Sequence, residues 1–250
     1  MKPTFFLASA AAIAAIAGCN SNAGDAATGN SVKLEQVAPP KGGDWSQVYN
    51  ATEAGGMLMG NPEAKVRLIE YGSLTCPHCA EFDEKGVPQL IDKYVKSGQV
   101  AWEFRNYVRD GLDLTATLVA RCNGAKTFFP LTRALFHDQE QWIGKMQQVP
   151  QDQLTRLQAL PPNQQFLELA KAVGLQDYAA ARGVPVAKSN QCLSDQASVD
   201  QLIQMTSDVG TQFPNFPGTP SFVIGGKLLE KTADWKSLEP QLQAALGERG

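Results

Sequence analysis

The sequence has little that would suit nucleic acid or phosphate as a partner. Its formal net charge is −3, and it contains no basic patch, no glycine-rich phosphate loop and no internal repeat. A chain without excess positive charge offers no electrostatic attraction for nucleic acid. These absences leave the fold open, but they exclude a nucleic-acid partner and phosphate-loop chemistry.

Metal ligands are scarce as well. The chain has 2 histidines and 5 cysteines among its 250 residues. No second cysteine pair lies at zinc-ligand spacing, and His137 is the only histidine besides His78. Ala80, rather than histidine, follows Cys79, which argues against haem attachment. We therefore expect neither a metal nor another cofactor.

No apolar run is long enough to span a bilayer comfortably. The apolar run at residues 5–17 follows Met1-Lys2 and predicts a secretory signal peptide over residues 1–18. It ends in Ile16-Ala17-Gly18-Cys19, which resembles a bacterial lipobox, and we expect a lipid on Cys19; the alternative is an ordinary signal with a chance cysteine. A lipidated Cys19 would anchor the protein to a membrane of the bacterial cell envelope, facing the periplasm.

Residues 19–43 are small, polar and proline-tipped, so they bury too little surface to order themselves. We interpret them as a lipidated, flexible tether with an average span of roughly 25–30 Å. Residues 44–250 then form one globular domain with an insert.

The motif Cys76-Pro77-His78-Cys79 follows a strand-like segment, residues 66–71, and opens a helical pattern. A thiol at a helix start faces unsatisfied N–H groups and a partial positive charge, which stabilise the thiolate. Pro77 suits the first turn because it needs no donor there, and a protonated His78 would add positive charge. The pattern predicts disulfide exchange at Cys76 and Cys79. A structural disulfide or half of a metal site is the alternative.

Cys122 and Cys192 remain once Cys19 is assigned to the lipid and Cys76 pairs with Cys79. Both lie in helical patterns, and the signal peptide predicts an oxidising compartment. A structural bridge between them would stabilise the region by roughly 4 kcal/mol on the chain-entropy model. A redox-sensing bridge and two free buried thiols are the alternatives.

The predicted order of elements is strand, helix, strand, helical insert, hairpin, helix. Residues 56–60, 66–71 and 100–108 are strand candidates, a helix bent near Pro88 spans residues 77–97, a hairpin spans 221–229, and the last helix follows Ser237, has Pro240 in its first turn and ends at Gly247. Two strands joined through one helix must be parallel. This is an α/β thioredoxin fold with a helical insert, about residues 111–210, between the second and third core strands.

Over residues 44–250 the sequence resembles the DsbA-like thiol:disulfide oxidoreductases. The resemblance is carried by Cys76-Pro77-His78-Cys79, by the helical insert and by Gly218-Thr219-Pro220-Ser221-Phe222. It implies a cis-proline at Pro220 facing the active cysteines, and a Thr219 backbone that pairs with extended substrate. It also implies that Glu70 is a buried acid beneath Cys79 with a proton-relay role. The alternatives are a trans proline at a strand edge and a half-exposed glutamate.

The resemblance further implies a monomeric dithiol oxidase, without cofactor, that acts on reduced or unfolded secreted proteins and is reoxidised by a quinone-linked membrane partner. The best-known enteric oxidase of this family has valine at the position of Thr219. Thr219 therefore leaves a reductase or an isomerase as alternative functions, and so does the acidic cluster Glu81, Asp83 and Glu84. The tether has no room for an isomerase's dimerisation module. A non-enzymatic lipoprotein that binds peptides or a metal is the more distant alternative. Phe213, Phe216 and Pro217 would line an apolar groove or pack the insert against the core.

Overall fold

The computed structural model describes residues 1, 36–40 and 43–248. The predicted signal peptide, Cys19 and most of the predicted tether lie outside the described residues. Within the described part of the chain, no helix is long and apolar enough to cross a membrane.

Six strands form one mixed sheet in the order β1-β2-β4-β3-β5-β6. They are β1 Tyr49–Ala51, β2 Met57–Met59, β3 Val66–Gly72, β4 Val100–Asn106, β5 Ser221–Ile224 and β6 Lys227–Leu228. The central pair β3 and β4 is parallel, with Leu68 opposite Trp102, and every other pair is antiparallel. The predicted thioredoxin topology is therefore confirmed, with the helical insert between β4 and β5.

The helix after β3 is divided, although the sequence suggested one bent helix over residues 77–97. Helix α1 covers Pro77–Lys85, helix α2 Val87–Gln89, and a π-helical turn Leu90–Val95 follows. Gly86 caps α1, and Pro88 has no backbone N–H to donate. The break thus falls at the glycine and the proline.

Besides a short 3-10 helix, Lys145–Gln148, the insert consists of eight α-helices that span residues 111–212. They are α3 Gly111–Arg121, α4 Ala125–His137, α5 Gln139–Gly144, α6 Gln151–Gln158, α7 Pro162–Ala172, α8 Leu175–Ala180, α9 Val186–Leu193 and α10 Gln196–Gln212.

The last helix, α11 (Trp235–Glu248), begins earlier than the sequence suggested. Asp234 precedes it and accepts a hydrogen bond from the backbone N–H of Ser237 at 2.8 Å, so the cap is Asp234 rather than Ser237. Pro240 consequently lies inside the helix, not in its first turn, and the helix continues past Gly247.

Both faces of β4 are buried. On one face Trp102 and Phe104 stack with Phe129 and Phe128 of α4, with ring centroids 5.1 and 5.6 Å apart. On the other face the buried Glu103 accepts a bond from Arg105 at 2.7 Å. Polar side chains can face inward here because their charges are paired.

Candidate active site: two thiols at the start of a helix

The fold places the cysteine motif at the carboxyl end of β3. Cys76 is the N-cap of α1 with extended backbone (φ −88°, ψ 120°), and Pro77 is the first helical residue. Cys79 follows in the first turn and is fully buried, while Cys76 is 4% exposed. Both cysteines are free thiols in the structure. The first sulfur is thus the only one of the two with a path to substrate.

The environment of Cys76 favours its thiolate. Its pKa is lowered to about 5, chiefly because the Cys79 side chain hydrogen-bonds to Sγ of Cys76. Burial of Cys76 opposes this decrease. Hydrogen bonds from Thr219 and from the backbone N–H groups of Cys79 and His78 lower the pKa further. The pKa of Cys79 is shifted in the opposite direction. Burial raises its pKa well above the ordinary value, and the charges of Cys76 and Glu70 raise it further. One thiol ionises readily and its neighbour keeps its proton.

The loop before β5 contacts Cys76. The Thr219–Pro220 peptide is cis. The carbonyl oxygen of Thr219 lies 3.1 Å from Sγ of Cys76. The backbone that the resemblance implied for substrate binding therefore lies directly beside the reactive sulfur.

Glu70 lies on β3 and is 1% exposed. Its Oε2 accepts a hydrogen bond from Nε1 of Trp102 at 3.0 Å. Burial raises the pKa of this carboxyl well above its usual value, and the charges of Asp83 and Cys76 raise it further. A carboxyl with a raised pKa, electrostatically coupled to Cys79, is suited to move a proton near that thiol.

His78 presents its ring to solvent. Its side chain is 75% exposed, and Nδ1 lies 3.9 Å from Oε2 of Glu81. The contact through which His78 lowers the pKa of Cys76 is its backbone N–H.

Asp83 belongs to the acidic cluster that the sequence shows after the motif, but unlike Glu81 and Glu84 it is buried. Asp83 is 6% exposed and ion-paired with Arg133 of α4 at 3.4 Å. Burial raises its pKa to about 6, and its charge also acts on Glu70. The signal was available, because Asp83 follows Cys79 by one helical turn and so shares its buried face.

Two residues of the insert that contact the active-site loop were missed entirely. Asp113 of α3 accepts bonds from Ser73 and Leu74, and Gln139 of α5 donates to the carbonyls of Leu74 and Cys76. No spacing or motif in the sequence links either residue to the loop.

The second cysteine pair forms a disulfide. Cys122 caps the carboxyl end of α3 and Cys192 lies in the last turn of α9, with their Cα atoms 5.7 Å apart. The bridge therefore ties two helices of the insert together, in a region separate from the dithiol.

Phe213 and Phe216 pack inward against the sheet. Their rings meet Tyr71 edge-on, with centroids 6.1 and 5.7 Å apart, and both are half-buried. Pro217 is exposed. This arrangement fits the packing interpretation of the two aromatic residues better than an open groove.

Among the described residues, no group of three or more histidine, cysteine or acidic side chains is arranged to hold a metal ion. His137 instead pairs with the adjacent Asp138, with Nδ1 2.8 Å from Oδ1.

Fold and site together define a DsbA-like member of the thioredoxin superfamily. The thioredoxin family model matches residues 52–244, and the chain belongs to this family.

Relatives of known name agree with this class. Proteins of Rickettsia bellii and Rickettsia felis, both named as protein-disulfide oxidoreductases, are 31% identical over 175 residues and 30% identical over 200 residues. These alignments cover 68% and 77% of this chain, but only 57% and 63% of the relatives. The chain thus spans about six tenths of the length of these relatives.

Two solved structures share the fold. A protein-disulfide isomerase from Novosphingobium aromaticivorans is 39% identical, with a TM-score of 0.70, over 76% of this chain and 96% of its own. Wolbachia pipientis alpha-DsbA1 has a TM-score of 0.60 over 78% and 92%, and its 23% identity shows the fold alone.

Proposed function

We propose that this protein is a thiol:disulfide oxidoreductase that donates its Cys76–Cys79 disulfide to protein dithiols. The observation that carries the proposal is the asymmetry of the pair, because the pKa of Cys76 is lowered to about 5 while that of Cys79 is raised. The names of the Rickettsia relatives support the same chemistry.

The first step is attack on the oxidised protein. A substrate thiolate attacks Sγ of Cys76, a mixed disulfide forms, and the Cys76–Cys79 bond breaks with its electron pair on Cys79. Because the pKa of Cys79 is raised, this sulfur takes up a proton. Glu70 is the group we assign to supply it, since it is buried and coupled to Cys79. Thr219 positions the substrate, given that its carbonyl lies beside Cys76.

The second step releases the product. A second substrate thiolate attacks the substrate sulfur of the mixed disulfide, and Cys76 leaves as a thiolate. The substrate has lost two protons and two electrons and gained a disulfide. The protein holds the two electrons as the Cys79 thiol and the Cys76 thiolate, one substrate proton restores the Glu70 carboxyl, and the other passes to solvent. The stabilised Cys76 thiolate makes the reduced form favourable, so the disulfide is a strong oxidant.

The direction of exchange also sets the partners. We assign reduced or unfolded secreted proteins as substrates and a quinone-linked membrane protein as the reoxidising partner. The predicted signal peptide over residues 1–18 and the lipobox-like Cys19 support a periplasm-facing, lipid-anchored protein, and we assign a monomer as the working form. Metabolic labelling with a fatty acid, compared between the natural chain and Cys19→Ala, tests the anchor.

The decisive experiment is an equilibrium titration of the Cys76–Cys79 pair against glutathione, followed by oxidation of a reduced peptide. We expect a potential near −120 mV, roughly that of a strong oxidase. A value of about −270 mV, typical of a reductant, would overturn the oxidase assignment while leaving the exchange chemistry intact.

An isomerase is the second candidate, because the Novosphingobium protein that is 39% identical carries that name. Thr219 is compatible with this role. Reactivation of a protein with scrambled disulfides separates the two. An isomerase in its own reduced form restores the native disulfides of that protein, whereas an oxidase restores few.

A further inference from the structure

The loop that carries Cys76 is held from outside the thioredoxin core. Leu74 is fully buried, and both of its backbone polar groups are bound by side chains of the insert. Its N–H donates to Oδ1 of Asp113 at 2.9 Å, and its carbonyl accepts from Nε2 of Gln139 at 2.8 Å. Two side chains of the insert therefore hydrogen-bond the loop on both sides of Leu74.

The same amide of Gln139 reaches the catalytic motif. Its Nε2 donates to the carbonyl of Cys76 at 3.0 Å, and Gln139 is only 6% exposed. Both partners are carbonyl oxygens, so only the NH₂ side of the amide can face them. The orientation of the side chain is thus fixed by chemistry.

The Cys76 carbonyl belongs to the peptide unit that joins Cys76 to Pro77. Fixing this unit fixes the rotation about the Cα–C bond of Cys76, and so the direction of the Cα–Cβ bond that carries Sγ, relative to the N–H groups of His78 and Cys79. Those N–H groups lower the pKa of the thiol only while they point at the sulfur. The carbonyl also accepts the N–H of Ala80 at 3.2 Å, which links the contact to the first turn of α1.

The residue before Gln139 is tied to the rest of the insert. The adjacent Asp138 accepts a bond from the hydroxyl of Tyr178 of α8 at 2.7 Å, and the same hydroxyl lies 2.7 Å from the carbonyl of Ala134 in α4. The start of α5 is thereby tied to two other helices of the insert. Gln139 therefore bonds the active-site loop from a helix start that is itself held by contacts within the insert.

We infer that Gln139 is a positioning residue for the active site, through which the helical insert sets the orientation and acidity of Cys76. The inference rests on the proposed exchange function, in which the Cys76 thiolate is the leaving group. Asp113 holds the other side of the loop, but its acid group makes its variants harder to interpret.

The test is a thiolate absorbance titration of the reduced full chain. Gln139→Met keeps the length of the side chain and removes both donors, and Gln139→Asn keeps an amide that is too short to reach. Because Cys79 titrates far above Cys76, the first step reports Cys76 alone. We expect both variants to raise the midpoint by about one pH unit, a tenfold loss of acidity.

Gln176→Met is the matched control. Gln176 is 5% exposed and lies in the same insert, and its Nε2 donates to Ser189 at 3.1 Å and to Asn190 at 2.6 Å, away from the active-site loop. We expect it to lower thermal stability by a similar amount while leaving the Cys76 midpoint unchanged.

The outcomes separate the two proposals. An unchanged midpoint in both Gln139 variants overturns the positioning role, and so does an equal shift in Gln176→Met. A natural chain whose first thiol titrates near 8.5, roughly the value of free cysteine, overturns the proposed oxidase itself.

Discussion

The two cysteine pairs of this protein occupy opposite ends of helices. Cys76 begins α1, whereas Cys122 caps the carboxyl end of α3 and Cys192 lies in the last turn of α9. The start of a helix carries a partial positive charge and its end a partial negative charge. The helix end therefore stabilises a thiolate at Cys76 and disfavours one at Cys122 and Cys192.

The nearest polar atoms agree with this difference. Sγ of Cys122 lies 3.2 Å from the carbonyl of Lys188, and Sγ of Cys192 lies 3.7 Å from the carbonyl of Cys122. Cys76 also has a carbonyl neighbour, Thr219, but N–H groups face it as well. Position on a helix thus separates a pair suited to exchange from a pair suited to crosslinking.

Removing the first sulfur is expected to have the largest effect. Cys76→Ser deletes the atom that substrate attacks, so oxidation of a reduced peptide should fall to the uncatalysed rate. Cys122→Ser/Cys192→Ser should keep most of the activity, since the bridge lies in the insert and not at the motif. Loss of activity in the double variant, measured where it is folded, would contradict the division of roles.

Stability should show the reverse pattern. The bridge closes a loop with a sequence separation of 70, and its removal in Cys122→Ser/Cys192→Ser should lower the free energy of unfolding by about 4 kcal/mol. Reduction of the active pair alone in the natural chain should not lower the free energy of unfolding, because the stabilised Cys76 thiolate favours the reduced form. Chemical denaturation of both proteins measures the difference, and equal losses would mean that the bridge is not the structural pair.

The pH dependence of alkylation should distinguish the pairs under reducing conditions. The rate at Cys76 should rise as pH increases through about 5, where its thiolate forms, and stay level above that. At Cys122 and Cys192 the rate should still be rising well above that pH, because the carboxyl ends of their helices disfavour a thiolate. Mass spectrometry at a pH of about 6 should show roughly tenfold faster labelling of Cys76, because its larger thiolate fraction outweighs its weaker nucleophilicity. Equal labelling rates of the three cysteines at that pH would contradict the proposed difference in acidity between the two pairs.

The smallest effect concerns Glu70. Glu70→Gln removes a carboxyl whose charge raises the pKa of Cys79, so that pKa should fall and the proton relay should be lost. We expect exchange to slow by about tenfold, below the usual range for general acid–base groups, since water can replace the relay in part. Stopped-flow kinetics across pH measures the change. A variant as fast as the natural chain at every pH would assign Glu70 to packing alone.

Much of the fold could be predicted because its signals are local. The alternation of residues 66–71, the proline-containing motif and the glycine turn of the last hairpin each depend on neighbours in sequence, and together they gave the thioredoxin topology. The start of α11 was misplaced because Asp234 and Ser237 are both good caps. Their hydrogen bond, with Asp234 as the acceptor, appears only once the helix is built.

The long-range contacts of the site were not predictable in this way. Asp83 pairs with Arg133, separated by 50 positions, and Gln139 reaches Cys76 across 63. Both partners come from the insert, whose helical periodicity specifies buried faces but not which helix meets which loop.

By itself the sequence determined which two thiols open a helix, because a strand, a tight loop and Pro77 are encoded side by side. Only the tertiary structure decided how acidic the first thiol is and what holds it there. That depends on Cys79, which keeps its proton because the core buries it, and on Thr219 and Gln139, which the packing of distant segments brings to Cys76. Such packing is a property of the whole core rather than of any short stretch of chain.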